Sequence, residues 1–257
     1  MKKIFISLLA TILALSATAQ KKEVGDSDIN LFKAALKGWH VRLSAGYNIG
    51  GTAPLPLPVE IRSLGSYNPG LNLTLEGTVE KMFGKSDWGL RWGIRLETKG
   101  MTSTANTKNY YTEIMNDGGL VCGPWTGDVE ISVRNTYLTL PVVAVYKINH
   151  RWNVSGGLYA SYLMQGDFSG NVYNGYIREN DPTGEKTEIE SASYSFNDNL
   201  SKFNWGLQVG GEFVAYKHLA VFADLKWGFN GIFPKEFSSI SFALYPIYGT
   251  LGFTYLF

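Results

Sequence analysis

Residues 88–99 read WGLRWGIRLETK, and every even position from Trp88 to Leu96 holds a large apolar residue. The positions between them hold two glycines, Arg91, Arg95 and Glu97. A period of two residues is that of a β-strand, whose successive side chains point to opposite faces, whereas a helix repeats every 3.6 residues. The stretch therefore predicts a strand with one apolar face and one charged face.

The same alternation recurs along the chain. It is found in residues 39–49, 71–83, 137–148, 152–162, 203–215, 219–229 and 247–257. These segments are longer than the strands of most soluble proteins, which average five or six residues. The segments that connect them alternate in length. Residues 84–87, 149–151 and 216–218 are short, whereas residues 51–68, 100–130, 164–202 and 230–242 are long. Short turns alternating with long loops are typical of outer-membrane barrels, in which the short turns face the periplasm.

The predicted fold is therefore all-β: an eight-stranded antiparallel up-and-down transmembrane β-barrel with short periplasmic turns and long extracellular loops. We assign the barrel domain to residues 38–257. Residues 137–148 read YLTLPVVAVYKI and are apolar on both faces. Pro141 lacks a ladder N–H, which predicts a bulge or local break there. Leu138, Leu140, Val142, Ala144 and Tyr146 are assigned to the outward face.

The N-terminus predicts export. Lys2 and Lys3 precede an apolar run over residues 4–15, and Ala17-Thr18-Ala19 fits an A-x-A cleavage site. We assign residues 1–19 to a cleaved signal peptide and residues 20–37 to a periplasmic leader, which is either a short amphipathic helix or flexible. The expected location is the outer membrane of a Gram-negative bacterium.

Two kinds of eight-stranded barrel have this pattern. A soluble lipocalin-like barrel would enclose its apolar face, whereas a membrane barrel turns that face toward lipid. The polar face carries nearly balanced charges, which suits a self-neutralising interior. These charges are Arg42, Glu76, Glu80, Arg91, Arg95, Glu97, Glu212, Asp224 and Lys226. Aromatic residues cluster at both ends of the strands, as in the interfacial girdles of membrane barrels. We therefore favour the membrane barrel.

The hairpin around residues 84–87 offers a test of this interior. If Phe83 pairs with Trp88, Glu80 lies opposite Arg91 and Glu76 lies opposite Arg95. The same register places apolar residues opposite each other on the outer face, so one register satisfies both faces. Eight strands leave a lumen that side chains fill. We interpret the nine charged residues as a structural ion network, with a proton or ion path as the alternative.

The sequence predicts neither catalytic residues nor a metal site or cofactor. The three histidines, His40, His150 and His218, fall in or next to predicted periplasmic turns, far from the outer rim where a lipid or peptide hydrolase would need its base. Cys122 is the sole cysteine, so an internal disulfide is impossible. A formal net charge of +1 argues against nucleic-acid binding. We expect a protein that is not an enzyme.

The long loops are rich in aromatic and acidic residues, and their binding residues stay undefined at this stage. The aromatic residues suit either recognition or packing over the barrel mouth. The expected partners are outer-membrane lipid and lipopolysaccharide, the barrel assembly machinery during biogenesis, and, as an open alternative, a secretion or envelope complex. A small-solute channel or an outer-membrane lipid enzyme is a weaker alternative.

Several of these stretches resemble a known family. They are the Ala-Thr-Ala-Gln end of the signal peptide, the glycine-flanked residues 46–50, the YLTLP segment and the terminal YGTLGFTYLF. The pattern resembles the PorT-like outer-membrane barrels, which are similar in build to the eight-stranded OmpA-like barrel. The resemblance implies that the terminal strand is read by the barrel assembly machinery. It also implies an accessory role in a gliding-type secretion system, and it transfers no catalytic residue.

Overall fold

The computed structural model describes residues 38–116, 119–179, 181–237, 239–240 and 242–257. The predicted signal peptide and leader, residues 1–37, lie outside the described residues, so both assignments stay predictions. The described part contains one short 3₁₀ turn, Asn197–Asn199, and otherwise strands and their connections. No helix among the described residues is long and apolar enough to cross a membrane.

Eleven strands form one antiparallel sheet. They are β1 (His40–Pro54), β2 (Ile61–Asn68), β3 (Leu73–Met82), β4 (Trp88–Asn116), β5 (Gly119–Lys147), β6 (Trp152–Gln165), β7 (Phe168–Arg178), β8 (Lys186–Ser195), β9 (Phe203–Tyr216), β10 (Leu219–Gly228) and β11 (Leu244–Leu256). All eight predicted segments are present as strands. The sheet has eleven strands in place of the expected eight, because three more strands, β2, β7 and β8, lie in segments that were expected to be loops.

Eight of the strands pair in a closed cycle, which we call the ring. The pairing runs from β1 through β3, β4, β5, β6, β9 and β10 to β11. β11 then pairs with β1, from Arg42↔Leu256 to Pro54↔Leu244. Because every strand of the ring has a neighbour on both sides, no sheet edge is left along it.

β4 and β5 each have 29 residues and continue far beyond the ring. Their extensions, residues 100–116 and 119–134, carry β7 and β8 on one side and β2 on the other. Met115 of β4 also pairs with Ser193 of β8. We call these extensions together with β2, β7 and β8 the head. Three of the segments expected to be loops therefore consist largely of strands that continue or line the extended wall: residues 51–68, 100–130 and 164–202.

The two faces of the ring have the predicted polarity. Outward residues such as Trp92, Leu140 and Leu158 are about half exposed, at 48%, 52% and 53%. Inward positions hold buried polar side chains, among them Arg42, Arg95 and Glu97 at 4% exposure or less. Because burying charge and exposing hydrocarbon are both unfavourable in water, this arrangement is stable only with an apolar solvent outside.

The outward phase of β5 around Pro141 is as predicted, with Leu138, Leu140 and Val142 all exposed. Of the two predicted alternatives at Pro141, the structure has the local break: pairing with β4 is interrupted between Trp92↔Val142 and Arg95↔Thr139, without a shift of register. A bulge is absent there, since the register to β6 runs unbroken from Tyr137↔Leu163 to Lys147↔Asn153. A short lapse is enough to accommodate the missing N–H of proline.

Outward-facing aromatic residues form two belts at the ends of the ring. The belt at the short turns includes Trp88, Tyr146, Trp152, Phe213, Tyr255 and Phe257. The belt at the head end includes Tyr162, Phe203, Trp205, Trp227 and Phe229. Neighbouring rings touch within each belt, for example Trp88 and Tyr146 with centroids 4.9 Å apart. Such belts mark the polar–apolar boundaries of a membrane.

Candidate functional site: the charged lumen and the head above it

The lumen near the short turns holds a cluster of four charged side chains, which we call the lower cluster. Arg91 donates to Glu80 at 2.7 Å, which is one of the two predicted pairs. Arg42 contacts the same carboxylate at 3.3 Å and also pairs with Glu212. Glu212 lies 3.8 Å from Arg91. The strands position these groups through register, since Glu80 lies opposite both Arg91 and His40.

A second group, the upper cluster, surrounds Glu97 nearer the head. The Glu97 carboxylate accepts from Lys226 at 2.7 Å and pairs with Lys99 at 3.1 Å. It also accepts from the Thr139 hydroxyl at 2.9 Å. Arg95 lies 4.0 Å away and pairs with Glu76, the second predicted partner. Glu97 is fully buried, so its negative charge depends on these donors rather than on water.

Asp224 completes the charge balance of the lumen. Gln208 accepts from Arg95 at 2.9 Å and donates to Asp224 at 3.2 Å. With Asp224 included, the two clusters contain five cations and five carboxylates. The cations are Arg42, Arg91, Arg95, Lys99 and Lys226, and the carboxylates are Glu76, Glu80, Glu97, Glu212 and Asp224. All nine charged residues predicted for the lumen face inward. Lys99 was not included in that prediction, although it lies two residues after Glu97 and therefore on the same face of the strand.

A small cavity of about 20 Å³ lies between the two clusters. Its walls include Glu76, Arg91, Gln208 and Asp224, so it joins the lower cluster to the upper one. A cavity of this size accommodates one or two water molecules. The buried Thr78 hydroxyl, which also lines it, has no hydrogen-bond partner among the described residues. Between the two clusters the lumen is therefore filled by side chains around this water-sized gap.

Phe222 faces the lumen and lines the cavity, and two glycines of neighbouring strands make room for its ring. A Cβ added at Gly252 would lie 2.7 Å from Phe222 Cε1 and would also meet the Ala45 carbonyl. At Gly46 the corresponding distance to Phe222 Cζ is 3.2 Å. Glycine at these two positions is thus required by close approach rather than by backbone angle.

Gly252→Ala should destabilise the protein by about 1–3 kcal/mol, the usual cost of overpacking an interior. Gly77→Ala is the matched control, because a Cβ at Gly77 would meet nothing within 4 Å. Urea unfolding of the two variants in the same detergent measures the difference. Equal midpoints for both would contradict the close packing of Phe222 against Gly252.

A layer of tyrosines closes the upper end of the lumen. The Lys99 ammonium lies 5.2 Å from the ring centroid of Tyr137, 5.0 Å from that of Tyr159 and 5.9 Å from that of Tyr248. These distances are within the range of cation–π attraction. Lys99 and its three tyrosines are buried, at 3% exposure or less. They separate the ion network from the apolar interior of the head.

The head has a hydrophobic core of its own. Its most deeply buried members include Ile114, Trp125, Phe168, Val172 and Ile177. Phe233 and Phe237 pack against this core from the segment before β11. Burial raises the pKa of the Tyr110 and Tyr194 phenols, so both stay neutral inside it. Three of the six aromatic residues left undecided between recognition and packing, Tyr110, Trp125 and Phe168, are thus packed in the core over the mouth of the ring, whereas Tyr111, Tyr173 and Tyr176 are half-buried.

The connection between β7 and β8, at the tip of the head, and the start of β8 carry several acidic residues of the expected 164–202 loop. The hydroxyl and backbone N–H of Thr183 donate to Asp181 and lower the pKa of its carboxyl. Lys186 pairs with Glu188 at 2.9 Å on the exposed surface. Among the described residues no three His, Cys, Asp or Glu side chains are grouped as a metal site would require.

All three histidines are exposed and lie at the end of the ring opposite the head, as predicted. His40 begins β1, and His150 and His218 lie in short turns. His218 bonds to the Leu256 carbonyl at 2.7 Å and stacks on Tyr255. Cys122 lies half-buried in the head opposite Glu113, and burial together with that carboxylate raises the pKa of its thiol.

The model of the family described as "Outer membrane protein beta-barrel domain" matches residues 18–234. No curated protein sequence is significantly similar to the chain. Among solved structures, the chain is similar to Ail, the attachment invasion locus protein of Yersinia pestis, in complex with the heparin analogue sucrose octasulfate. The two share 11% identity and a TM-score of 0.35, over 85% of this chain and 97% of that one.

Two further solved structures have a comparable likeness. The outer membrane protease OmpT of Escherichia coli shares 11% identity and a TM-score of 0.34, over 85% of this chain and 96% of that one. The outer membrane protein OprG of Pseudomonas aeruginosa shares 14% identity and a TM-score of 0.27, over 85% of this chain and 95% of that one. With TM-scores below 0.5, none of these likenesses supports a functional argument.

Proposed function

Since the chain belongs to the outer-membrane β-barrel family and is therefore located in the outer membrane, we propose that it is a sealed, non-enzymatic barrel whose head binds a partner or ligand. The closed cycle of eight paired strands supports an eight-stranded transmembrane barrel. The two aromatic belts support the span between them as the membrane-crossing part. Short turns then face the periplasm and the head faces outside. The proposal includes export through a cleaved signal peptide, residues 1–19, in a Gram-negative cell.

The observation that carries the proposal is the filling of the lumen by side chains. The lower cluster, with Phe222 opposite Glu212, occupies the end near the short turns, the tyrosine layer around Lys99 lies toward the head, and the core of the head lies beyond it. The cavity that lies between the clusters is water-sized. A small-solute channel would need an open lumen, which eight strands do not leave when large side chains point inward.

The head supplies the surface for binding. A loop that served only as a connection would not need a buried core of aromatic rings, since most loops are exposed and mobile. Here four strands enclose that core, so the outer surface of the head is held in one shape. A rigid surface loses little entropy on binding, which favours recognition.

Conductance in planar lipid bilayers tests the sealed lumen. The purified protein should insert without opening steps in symmetric potassium chloride. The variant Phe222→Ala is informative because it enlarges the gap between the clusters without removing a charge, and it should still not conduct while the tyrosine layer remains. Stable, ohmic steps from the unmodified protein would contradict the proposal.

An accessory role in a secretion or envelope complex is the second candidate. It is favoured by exposed apolar residues on the segment from the end of β1 through β2: Leu57, Val59 and Leu64 are exposed by 56%, 79% and 66%. Apolar side chains clustered on an outer surface often mark a protein contact. The resemblance to PorT-like barrels points the same way.

Crosslinking followed by mild-detergent purification of the tagged protein from its own outer membrane separates the two candidates. A stoichiometric protein partner, lost in the variant Leu57→Ser/Leu64→Ser, would make the chain an assembly subunit. If the barrel purifies without a partner and its faster gel migration before heating shows that it is folded, the stand-alone binding protein is supported.

A further inference from the structure

The outer wall of the head has an unusual composition. β4, β5, β7 and β8 lie side by side there, and their registers align outward residues in three rows. The first row is Thr102, Ser132, Ser169 and Ser195; the second is Thr104, Glu130, Asn171 and Ser193; the third is Asn106, Asp128, Tyr173 and Ser191. We call these twelve residues the polar face. Eight of them are half-buried and four, Asn106, Ser191, Ser193 and Ser195, are exposed; none is basic.

This face continues the lipid-facing wall without a break. β4 and β5 run from the barrel into the head, and their outward residues change from Leu138 and Leu140 below to Ser132 and Glu130 above. Two residues of a tilted strand add roughly 5 Å of height. The face therefore stands about 15 to 25 Å above the level of Leu138. In an outer membrane that height is the saccharide layer of the outer-leaflet glycolipid.

A cation lies between the apolar wall and the polar face. Arg134 is exposed and occupies the outward position between Thr136 and Ser132 on β5. The backbones of Arg134 and Asp167 are hydrogen-bonded to each other. The Asp167 carboxylate, however, accepts a hydrogen bond from the Ser169 hydroxyl at 3.0 Å. A guanidinium at the edge of the apolar belt is placed to bind the phosphate of a lipid headgroup, since arginine binds phosphate in a bidentate manner.

The chemistry of the face matches saccharide hydroxyls better than protein. Hydroxyl and amide groups on short side chains both donate and accept, and carboxylates accept, so together they can form the paired contacts that sugar hydroxyls require. Glu130, Asn171 and Tyr173 make no side-chain hydrogen bond with any described residue, so their capacity is available. The centre of a protein interface is usually apolar and aromatic, whereas this face has one aromatic residue, Tyr173, whose ring can stack on a sugar.

We propose that the polar face binds the core saccharide of the glycolipid in the membrane around it, with Arg134 holding a phosphate at its base. The proposal rests on the proposed function, because it names the ligand class of the head. The occupant is a membrane glycolipid rather than a soluble glycan, since the face is continuous with the wall that lipid covers. Bound glycolipid would fix the height of the barrel in the outer leaflet.

The test measures binding of three probes to the full protein in detergent micelles by native mass spectrometry. The probes are purified lipopolysaccharide with a complete core, lipid A without core saccharide, and the released core oligosaccharide. We expect lipopolysaccharide to bind at least ten-fold more tightly than lipid A. The released oligosaccharide should bind more weakly than lipopolysaccharide, because it lacks the phosphate and acyl contacts.

Glu130→Ala/Tyr173→Ala should lower the affinity for lipopolysaccharide to that for lipid A. The matched control, Glu188→Ala/Tyr111→Ala, removes the same residue types elsewhere on the head and should change neither affinity. Arg134→Ala should weaken both lipid probes, whereas Arg62→Ala should weaken neither. Faster migration of unheated protein in gel electrophoresis checks folding of every variant.

Equal affinity of the unmodified protein for lipopolysaccharide and lipid A would overturn the proposal. So would equal losses in the face variant and its control, or an oligosaccharide that binds as tightly as intact lipopolysaccharide. Conductance of the same preparations tests the sealed barrel independently. A non-conducting protein without saccharide preference would leave the proposed barrel standing and remove only its glycolipid ligand.

Discussion

Replacing Glu97 by glutamine should lower the free energy of unfolding by about 3–5 kcal/mol, the cost of removing one partner from a buried ion pair. The carboxylate is fully buried and is shared by Lys226 and Lys99. Glutamine keeps the shape and one acceptor but leaves two ammonium groups in the lumen without their counter-charge. Urea unfolding in detergent, followed by tryptophan fluorescence, measures the loss.

A second substitution separates charge from packing. In Glu97→Gln/Lys226→Met the lumen carries one uncompensated cation fewer, so roughly half of the lost stability should return. Glu188→Gln removes a carboxylate from an exposed pair with Lys186 and should leave the unfolding midpoint unchanged. If the double variant were no more stable than Glu97→Gln, the fit of Glu97, and not its charge, would be what stabilises the lumen.

The strands of the ring were predictable because the two faces of each contrast so strongly. Trp92 and Arg91 are neighbours in sequence, and only a strand places one outside and the other in the lumen. The Glu80–Arg91 pair followed from the length of one hairpin turn, because antiparallel register is fixed by the turn. The local pattern therefore contained both the element and its partner.

The strands of the head were less visible because their faces contrast less. The inward residues of the β4 extension include Ser103 and Ala105, which do not mark a buried face. β2 is exposed along nearly all its length and has no apolar periodicity to detect. One signal was present: Asp117-Gly118 between Asn116 and Gly119 is the dipeptide favoured in tight hairpins. The pairing Asn116↔Gly119 joins the two extensions there.

Lys99 and Phe222 were missed for different physical reasons. Lys99 continues the inward phase of Glu97, so following that phase two residues further would have found it. Phe222 is an apolar residue in the polar phase of β10, and its inward position is explained only by glycines on other strands. Such packing depends on residues distant in sequence, which periodicity within one segment does not reveal.

Removing a buried side chain from the core of the head should unfold the head locally and leave the ring folded. Phe168 is fully buried, and its ring lies 4.9 Å from that of Phe233 and 6.2 Å from that of Phe196. Phe168→Ala should remove about 3–5 kcal/mol of stability from the head, as expected when a buried phenylalanine leaves a cavity. The ring is held by its own strand pairs, so it should stay folded while the head opens locally.

Limited proteolysis of the protein in lipid vesicles checks this result, because only the head and the turns are accessible there. Phe168→Ala should expose new cleavage sites within β7 and β8 at protease levels that leave the unmodified protein intact, while the membrane-embedded core remains protected. Phe203→Ala is the matched control, since Phe203 is 63% exposed on the outer wall of the ring and supports no part of the head core. Equal protease resistance of Phe168→Ala and the unmodified protein would mean that the aromatic cluster does not hold the head together.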